Sequence, residues 1–457
     1  MYTPTGVGPE RPPGPDGWPV VGSFPAYASD AFAFKTRLAR EYGPLAFYTS
    51  LGREFYQPND PDLVEEVLVH RNEQFSKGEL FHSILDPVTG DGLLTAEGEQ
   101  WRRQRHMVNP AFHPDRIAEY SEVMVAETAA AMDDWADGET VDVHGEMMSL
   151  TLDIVAKTLF GTDIGDRAAI VGDSMDTVME RVESPVSSLL PAAAPTPGNR
   201  EFTHAVDAID AVADEIIRER RAGEGGVETG PAGEASDDVL SALLAARDES
   251  GETMDAALVR DEVRTLLLAG HETTALALTF TLFCLAQTPP AEERLVAELD
   301  DVLGDDRPTM ADAPRLGYTE QVVEESMRLY PPVHGILRQA KADVELGGYT
   351  VPEGATVSLN QWTLHRDPRF YDDPMAFRPE RWSDEMRESL PRFAYFPFGG
   401  GPRRCVGDRF AKLEAKLVLA TLYRDYHFEL VSEPKLSLAP SITTRPTEPV
   451  EMRIHER

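Results

Sequence analysis

Cys405 is the residue of this sequence best suited to chemistry. It closes the stretch Phe396-Pro-Phe-Gly-Gly-Gly-Pro-Arg-Arg-Cys405, whose glycines and prolines exclude both a helix and a central strand. Apolar residues then recur at helical spacing from 410 to 420, so a loop delivers Cys405 to a helix N-terminus. Free N–H groups and the helix dipole stabilise a thiolate there. Because glycines clear side chains from the loop, we predict a flat cofactor held through one thiolate, namely haem; these glycines are Gly399, Gly400, Gly401 and Gly407.

The alternative is that Cys405 is a buried, inert thiol, as most single cysteines are. Its flanking residues favour the functional interpretation, because they spell F-x-x-G-x-R-x-C-x-G without a gap. The matching positions are Phe398, Gly401, Arg403, Cys405 and Gly407. This pattern resembles the haem-binding loop of the cytochromes P450. The resemblance implies that Cys405 is the metal ligand and that Phe398, Arg403 and Gly407 contact the haem, haem b (iron protoporphyrin IX).

The cysteine content excludes other metal centres. Cys284 is the only other cysteine, so iron–sulfur clusters and cysteine-rich zinc sites lack ligands. Two cysteines also give no disulfide framework, which fits a reducing compartment.

A second group of polar residues interrupts the longest predicted helix, Thr253 to Gln287. The segment Ala269-Gly-His-Glu-Thr-Thr274 places mediocre helix formers and a carboxylate in an apolar helix. One interpretation is a threonine bonded back to its own turn. The other is a locally opened turn over the haem, with Thr273 as hydrogen-bond donor and Glu272 in the proton path. This resembles the acid–threonine pair of the P450 family, in which both are catalytic, and we expect His271 on another helix face.

Two further sets of charged residues match the family pattern. Glu325 and Arg328 on one helix, with Arg381 in Phe377-Arg-Pro-Glu-Arg381-Trp382, resemble its buried ion triad, although an i,i+3 pair alone is usually a solvated salt bridge. Trp101 and Arg105 lie one turn apart on a predicted helix that is otherwise an ordinary basic face. The resemblance makes both donors to the haem propionates, together with Arg403 and Arg338.

The predicted architecture is one domain over residues 1–457, mainly α with a smaller β-rich part. It comprises a proline-rich segment (1–30) and a mobile loop (223–236). The resemblance implies the cytochrome P450 fold, with haem between a long central helix and the helix after the cysteine loop. Other predicted elements are helices at Ala31–Tyr42, Pro61–His70, 97–106, 115–136, 144–160, 164–183, 201–222 and Glu320–Leu329, a hairpin at Leu45–Tyr56 and a long loop at Ser76–Ala96.

Acidic residues outnumber basic ones by 79 to 43, giving a formal charge of −36. The hydrophobic fraction of 42% is ordinary, so the charge does not indicate disorder. Such a composition is typical of a salt-in halophile and argues against nucleic acid or anionic membranes as partners. With no run of eighteen apolar residues, no membrane span is expected, and the start resembles neither a signal peptide nor an anchor. We expect a cytoplasmic monomer.

The resemblance implies a monooxygenase that inserts one atom of O2 into a lipophilic substrate. About fifty residues follow Cys405, too few for a flavin reductase domain, so electrons must come from another protein. A ferredoxin-type donor would dock on basic residues around the cysteine loop: Arg102, Arg103, Arg404, Arg409, Lys412 and Lys416. Two alternatives are a haem-thiolate peroxygenase that uses H2O2, and a non-catalytic haem or gas-binding module.

The branch of the family that hydroxylates fatty acids and other lipids is the one most resembled. The carriers of this likeness are Gly90-Asp-Gly-Leu-Leu-Thr95 and the Ala-Gly-His-Glu-Thr-Thr segment. Arg53, near Tyr56, would be the arginine that such hydroxylases place at the pocket mouth. Their tyrosine partner falls on Gln57, so the anchor is incomplete, and Arg53 could be an ordinary exposed strand residue.

The charge predicts that stability depends on salt. Raising potassium chloride from low to molar concentration should raise the thermal unfolding midpoint steeply, because the Debye length falls from about 10 Å at 0.1 M to about 3 Å at 1 M. Calorimetry would measure the midpoint, with sucrose as the control for general co-solvent stabilisation. A flat salt profile would contradict the halophile interpretation.

Overall fold

The computed structural model describes residues 11–165, 167–183, 196–222, 238–245 and 253–457. The loop predicted at 223–236 lies outside them. Within the described residues the chain is mainly helical with a smaller sheet part, as the sequence predicts.

The described helices are α1 Phe24–Ser29, α2 Ala31–Glu41, α3 Pro61–Glu65, α4 Glu79–Thr89, α5 Gly98–Val108, α6 Pro114–Glu119, α7 Ser121–Met132, α8 Val143–Leu159, α9 Arg167–Glu183, α10 Pro197–Ala222, α11 Val239–Ala245, α12 Ala256–Ala286, α13 Pro289–Leu303, α14 Gly317–Leu329, α15 Gln361–Leu364, α16 Asp384–Ser389 and α17 Asp408–Asp425. The described strands are β1 Leu45–Ser50, β2 Arg53–Pro58, β3 Phe75–Ser76, β4 Thr140–Asp142, β5 Gly335–Ala340, β6 Val344–Leu346, β7 Tyr349–Val351, β8 Thr356–Asn360, β9 Tyr426–Leu430, β10 Leu438–Pro440, β11 Thr444–Pro446 and β12 Glu451–Glu456.

The chain forms two compact units. The smaller comprises Met1–Ser83, Val333–Ala376 and Asp384–Cys405, and the larger comprises Ile84–Pro332, Phe377–Ser383 and Val406–Arg457. The prediction of a single domain over 1–457 stays a prediction.

The smaller unit is built on a five-stranded sheet of order β1-β2-β8-β5-β3. β1 and β2 form the predicted hairpin, and its turn residues Leu51 and Gly52 both have positive φ, as a two-residue turn between twisted strands requires. β2 and β8 pair in parallel, while the other neighbours are antiparallel. Tyr56, Leu359 and Phe396 are among the buried residues of its core.

One predicted loop contains a helix. We expected Ser76–Ala96 to be a long loop. Instead, α4 occupies Glu79–Thr89 and includes Pro87. Leu85 and Val88 are buried on one face, so burial of this apolar face outweighs the helix penalty of proline. The helix predicted over 115–136 is also divided, into α6 and α7.

The larger unit contains α12, which is buried along most of its length. α8 packs against it closely, since a Cβ on Gly270 would lie 2.9 Å from Cγ2 of Val155. By length and apolar composition alone, α12 could cross a membrane. However, 83% of its most apolar 18-residue stretch is buried inside the protein, as is usual for a core helix.

The predicted ion triad is confirmed within this unit. Arg328 binds Glu325 through Nε and Nη2, each 2.8 Å from a carboxylate oxygen, and Arg381 Nε lies 3.0 Å from Oε1. The N–H of Arg378 and the indole N–H of Trp382 also donate to Glu325. The carboxylate is therefore fully buried yet compensated on both oxygens.

Replacing Glu325 by Gln should lower the free energy of unfolding by about 3–5 kcal/mol, because it leaves buried guanidinium charge uncompensated. Urea unfolding would measure this. The matched control is Glu119→Gln, whose i,i+3 pair with Arg116 is exposed and should be worth about 0–1 kcal/mol. Equal losses in the two variants would refute the assignment.

Candidate active site

The loop before Cys405 is fixed by hydrogen bonds within the smaller unit. Cys405 N–H donates to the carbonyl of Phe398 at 3.0 Å, and the N–H of Gly399 donates to the carbonyl of Phe396 at 2.8 Å. The N–H of Phe396 in turn donates to Nε2 of buried His365 at 3.0 Å. The loop thus presents Cys405 at an exposed position three residues before α17.

Packing within the protein explains several loop glycines. A Cβ on Gly401, whose φ is +67°, would lie 1.9 Å from the carbonyl oxygen of Leu68, and one on Gly400 would lie 2.3 Å from the ring of Phe393. We expected these glycines to clear space for a flat ligand, but both are required by the protein's own contacts. A Cβ on Gly407 would make only ordinary contact with Phe112, at 3.6 Å.

α12 has a local opening in its otherwise buried surface. Ala269 is exposed and Thr273, one turn later, is partly exposed, whereas His271, Glu272 and Thr274 are buried. Thr273 Oγ1 donates to the carbonyl of Ala269 at 2.7 Å. The helix is continuous here, so the predicted opened turn is not present and the back-bonded threonine is the observed arrangement. The small residues nevertheless leave one face free to receive a flat ligand.

Glu272 is held by residues that the sequence did not indicate. Its Oε1 accepts hydrogen bonds from Thr443 Oγ1 at 2.7 Å and from Arg445 Nε at 2.6 Å. Arg445 Nη1 also binds Asp176 of α9 at 3.0 Å. Glu272 is 3% exposed and Asp176 is 66% exposed, so the arginine connects a buried carboxylate to one in solvent. No sequence signal links these positions, since about 170 residues separate Glu272 from Arg445.

His271 points away from solvent and is neutral. Its backbone carbonyl accepts a hydrogen bond from Thr151 of α8 at 3.0 Å. Burial lowers the pKa of the imidazole to about 4.

The predicted propionate donors are divided between the units. In the larger unit, Trp101 and Arg105 are partly exposed on α5. In the smaller unit, Ile336 of β5 would contact a Cβ at Gly399 at 3.3 Å, and Arg338 lies two residues further on the same strand face. Arg403 is in the 3-10 turn Gly401–Arg403 of that loop.

The two lysines among the six predicted docking cations pair with acids of the larger unit. Lys412 Nζ lies 3.1 Å from Glu324 Oε1, and Lys416 Nζ lies 2.6 Å from Glu320 Oε2. Both pairs link α17 to α14, so these lysines have a structural role.

Comparison with known proteins identifies the family. The cytochrome P450 family model matches residues 12–453. Two proteins of Streptomyces melanosporofaciens are each 38% identical: cyclooctatin synthase over 434 residues (94% of this chain, 92% of that one) and cyclooctat-9-en-7-ol 5-monooxygenase over 369 residues (79% and 77%). The solved structure of retinoic acid bound cyanobacterial CYP120A1 has a TM-score of 0.85 and 26% identity, covering 98% of this chain and all of that one.

The chain therefore belongs to the cytochrome P450 family. It is an oxidoreductase, a monooxygenase whose cofactor is haem b. The residues fit this group: an exposed cysteine precedes a helix N-terminus, and the long helix has an open face of small residues.

Arg445 should stabilise the ionised form of Glu272. Arg445→Met should lower the free energy of unfolding at neutral pH by about 3–5 kcal/mol, because a buried carboxylate loses its counter-ion. Adding Glu272→Gln should recover much of the loss, so a double-mutant cycle in urea would give a large coupling energy. As a control, Asp176→Asn at the exposed end should cost about 0–1 kcal/mol. Simple additivity of the Arg445 and Glu272 substitutions would contradict the pairing.

Proposed function

We propose that this P450 hydroxylates a lipophilic cyclic substrate and receives its electrons from a separate ferredoxin-type protein. The observation that carries the monooxygenase assignment is the pair Glu272 and Thr273 on α12, in a chain whose cysteine loop matches the family. A peroxygenase or a non-catalytic haem module has no evident use for a buried carboxylate paired with Arg445.

Each proposed catalytic residue has one task. Cys405 would ligate the haem iron as a thiolate, and the bound haem supplies the chemistry of oxygen activation. Four residues would bind the propionates. The guanidinium groups of Arg105, Arg338 and Arg403 can hold carboxylates through two parallel bonds, and Trp101 would donate its indole N–H.

Thr273 would supply a hydroxyl hydrogen-bond donor to the place where the haem activates oxygen. Glu272 would pass protons from solvent, which its partner Arg445 approaches through the exposed carboxylate of Asp176. To donate its hydrogen bond there, the hydroxyl of Thr273 must leave the carbonyl of Ala269, to which it donates in the observed conformation.

The relatives support a cyclic substrate. One is named for a cyclic alkenol, cyclooctat-9-en-7-ol. A fatty acid is less well supported, because Gln57 is fully buried and donates to the carbonyl of Lys35 and to Asn59 Oδ1. Gln57 therefore joins β2 to α2, and Arg53 stands exposed without the second anchor that fatty-acid hydroxylases of the family use. A lipophilic carboxylic acid stays the second candidate, since one structural relative was solved with retinoic acid.

For the electron donor, we propose docking on the basic residues around the cysteine loop: Arg102, Arg103, Arg404, Arg409, Lys412 and Lys416. An acidic ferredoxin would be attracted to them, and the attraction would weaken with salt. We further propose a cytoplasmic, monomeric protein from a halophile; the support is the charge of −36 and the cysteine content.

Reconstitution would test the function. The purified holoenzyme should convert a cyclic alkenol to a hydroxylated product with NADPH, a ferredoxin reductase and a ferredoxin. Product with hydrogen peroxide alone would establish the peroxygenase, and no product under either condition across a panel of cyclic alkenols and matched carboxylic acids would favour the binding module. Substrates would first be selected by conversion of the ferric spectrum to high spin.

Cys405→Ser should abolish the red-shifted Soret band of the reduced carbon monoxide complex; its retention would overturn the ligand assignment.

A further inference from the structure

The segment between α4 and α5 is attached to α12 by two carboxylates. Leu93 N–H donates to Glu262 Oε2 at 3.1 Å, and Asp91 N–H donates to Asp261 Oδ2 at 2.9 Å. Between them, a Cβ on Gly92 would lie 2.7 Å from the carbonyl oxygen of Asp261. The backbone of residues 90–95 therefore lies directly on the helix, and glycine permits this approach. We call residues 90–95 the clamped segment.

The two carboxylates differ in how their charge is compensated. Asp261 is partly exposed and binds Arg264, which also binds Asp210 of α10 at 2.7 Å. Glu262 is fully buried, and its Oε1 has no hydrogen-bond partner among the described residues. Burial raises the pKa of Glu262 to about 7, the N–H of Leu93 opposes that rise, and the charge of Asp261 adds to it.

We propose that Glu262 is a proton-operated latch, which keeps the clamped segment on α12 when protonated and releases it when ionised. Burying an ionised carboxylate that has one N–H partner and no cation is unfavourable, whereas opening of the segment lets water hydrate it. Protonation removes the charge, and the carboxyl can still accept the N–H of Leu93.

The coupling between protonation of Glu262 and opening of the clamped segment determines the direction of the pH effect. With the segment closed the pKa of Glu262 is about 7, and in water it has the ordinary value of 4.5. The closed form therefore binds protons more tightly, and its stability falls as pH rises from the lower pKa through the higher one. The opening equilibrium constant should increase by about tenfold between about pH 6 and about pH 8.

Among the described residues, Asp261 is the charged group that acts on the pKa of Glu262. Asp261 is the nearest charge on the same helix, Asp91 is the acid on the clamped segment, and Asp210 on α10 is held by Arg264. α11, which packs against α12, has no titratable side chain. On α5, Gln104 Nε2 donates to the carbonyl of Asp91 at 2.7 Å and is uncharged, whereas Arg103 is the cation beside it in sequence.

Release would act on the candidate active site through α5. Gln104 lies on the helix that carries Trp101 and Arg105, so opening of the clamped segment removes a contact that orients that helix. The latch itself does not depend on the proposed function, because its charge balance involves only residues of α12 and of the clamped segment.

Hydrogen–deuterium exchange of the full-length holoprotein tests the latch. Peptides covering 90–97 would be followed at about pH 6, about pH 7 and about pH 8 in constant salt, with rates corrected for the intrinsic pH dependence of exchange. In the wild type the corrected opening should rise by about tenfold across this range. Peptides from the β1–β2 hairpin serve as the internal reference and should show no such rise.

Two variants separate the latch from a general effect of pH. Glu262→Gln cannot ionise and should show no pH dependence of exchange in the clamped segment. Asp261→Asn, at the compensated carboxylate, should keep a pH-dependent rise of smaller size, because the charge of Asp261 contributes to the raised pKa of Glu262. The proposal is overturned if the wild type shows no rise relative to the reference, or if Glu262→Gln shows the same rise. Should Glu262→Gln be unstable, Glu262→Asp, which keeps an ionisable group, must still show a pH-dependent opening.

Discussion

The cost of removing a carboxylate from water shapes the interior of the larger unit. Glu325 is compensated by two arginines, an indole and a backbone N–H. Glu272 has one arginine and one hydroxyl. Glu262 has only a backbone N–H. Glu414 of α17 is wholly buried and burial raises its pKa well above the ordinary value, so it is a neutral acid.

The number of partners that compensate each buried carboxylate determines which role it is suited to. A carboxylate with every lone pair occupied holds elements in place, and Glu325 does so for α14 and the segment after Phe377. One whose arginine partner also binds an exposed acid is connected to the surface, as Glu272 is through Arg445 and Asp176. One without a counter-ion changes protonation near neutral pH, which suits Glu262 for control of a segment rather than for structure.

The excess of acidic residues also affects how the basic residues of the protein are used. With 79 acidic and 43 basic residues, cations are the scarce component. Lys412 and Lys416, the two lysines nearest after the cysteine, are held by acids of α14. The other four members of the predicted docking set are arginines, whose charge persists at any physiological pH: Arg102, Arg103, Arg404 and Arg409.

The sequence by itself determined the family motif around Cys405, the long apolar helix, the hairpin predicted over residues 45–56 and the triad of Glu325. These features depend on spacing between near neighbours, on residue types with fixed backbone preferences, or on a match to a family pattern. Helix α4 was missed because the proline at 87 is a local signal, whereas burial of Leu85 and Val88 is a tertiary one.

Tertiary structure alone decided which groups meet across long distances in the chain. Arg445 reaches Glu272, the clamped segment reaches Glu262, and Leu68 leaves no room for a side chain at Gly401. A sequence can show that a carboxylate lies in an apolar helix, but its charge state depends on the partners that folding brings to it. Those partners come from elements about 170 residues away along the chain, and local sequence periodicity carries no information about such distant contacts.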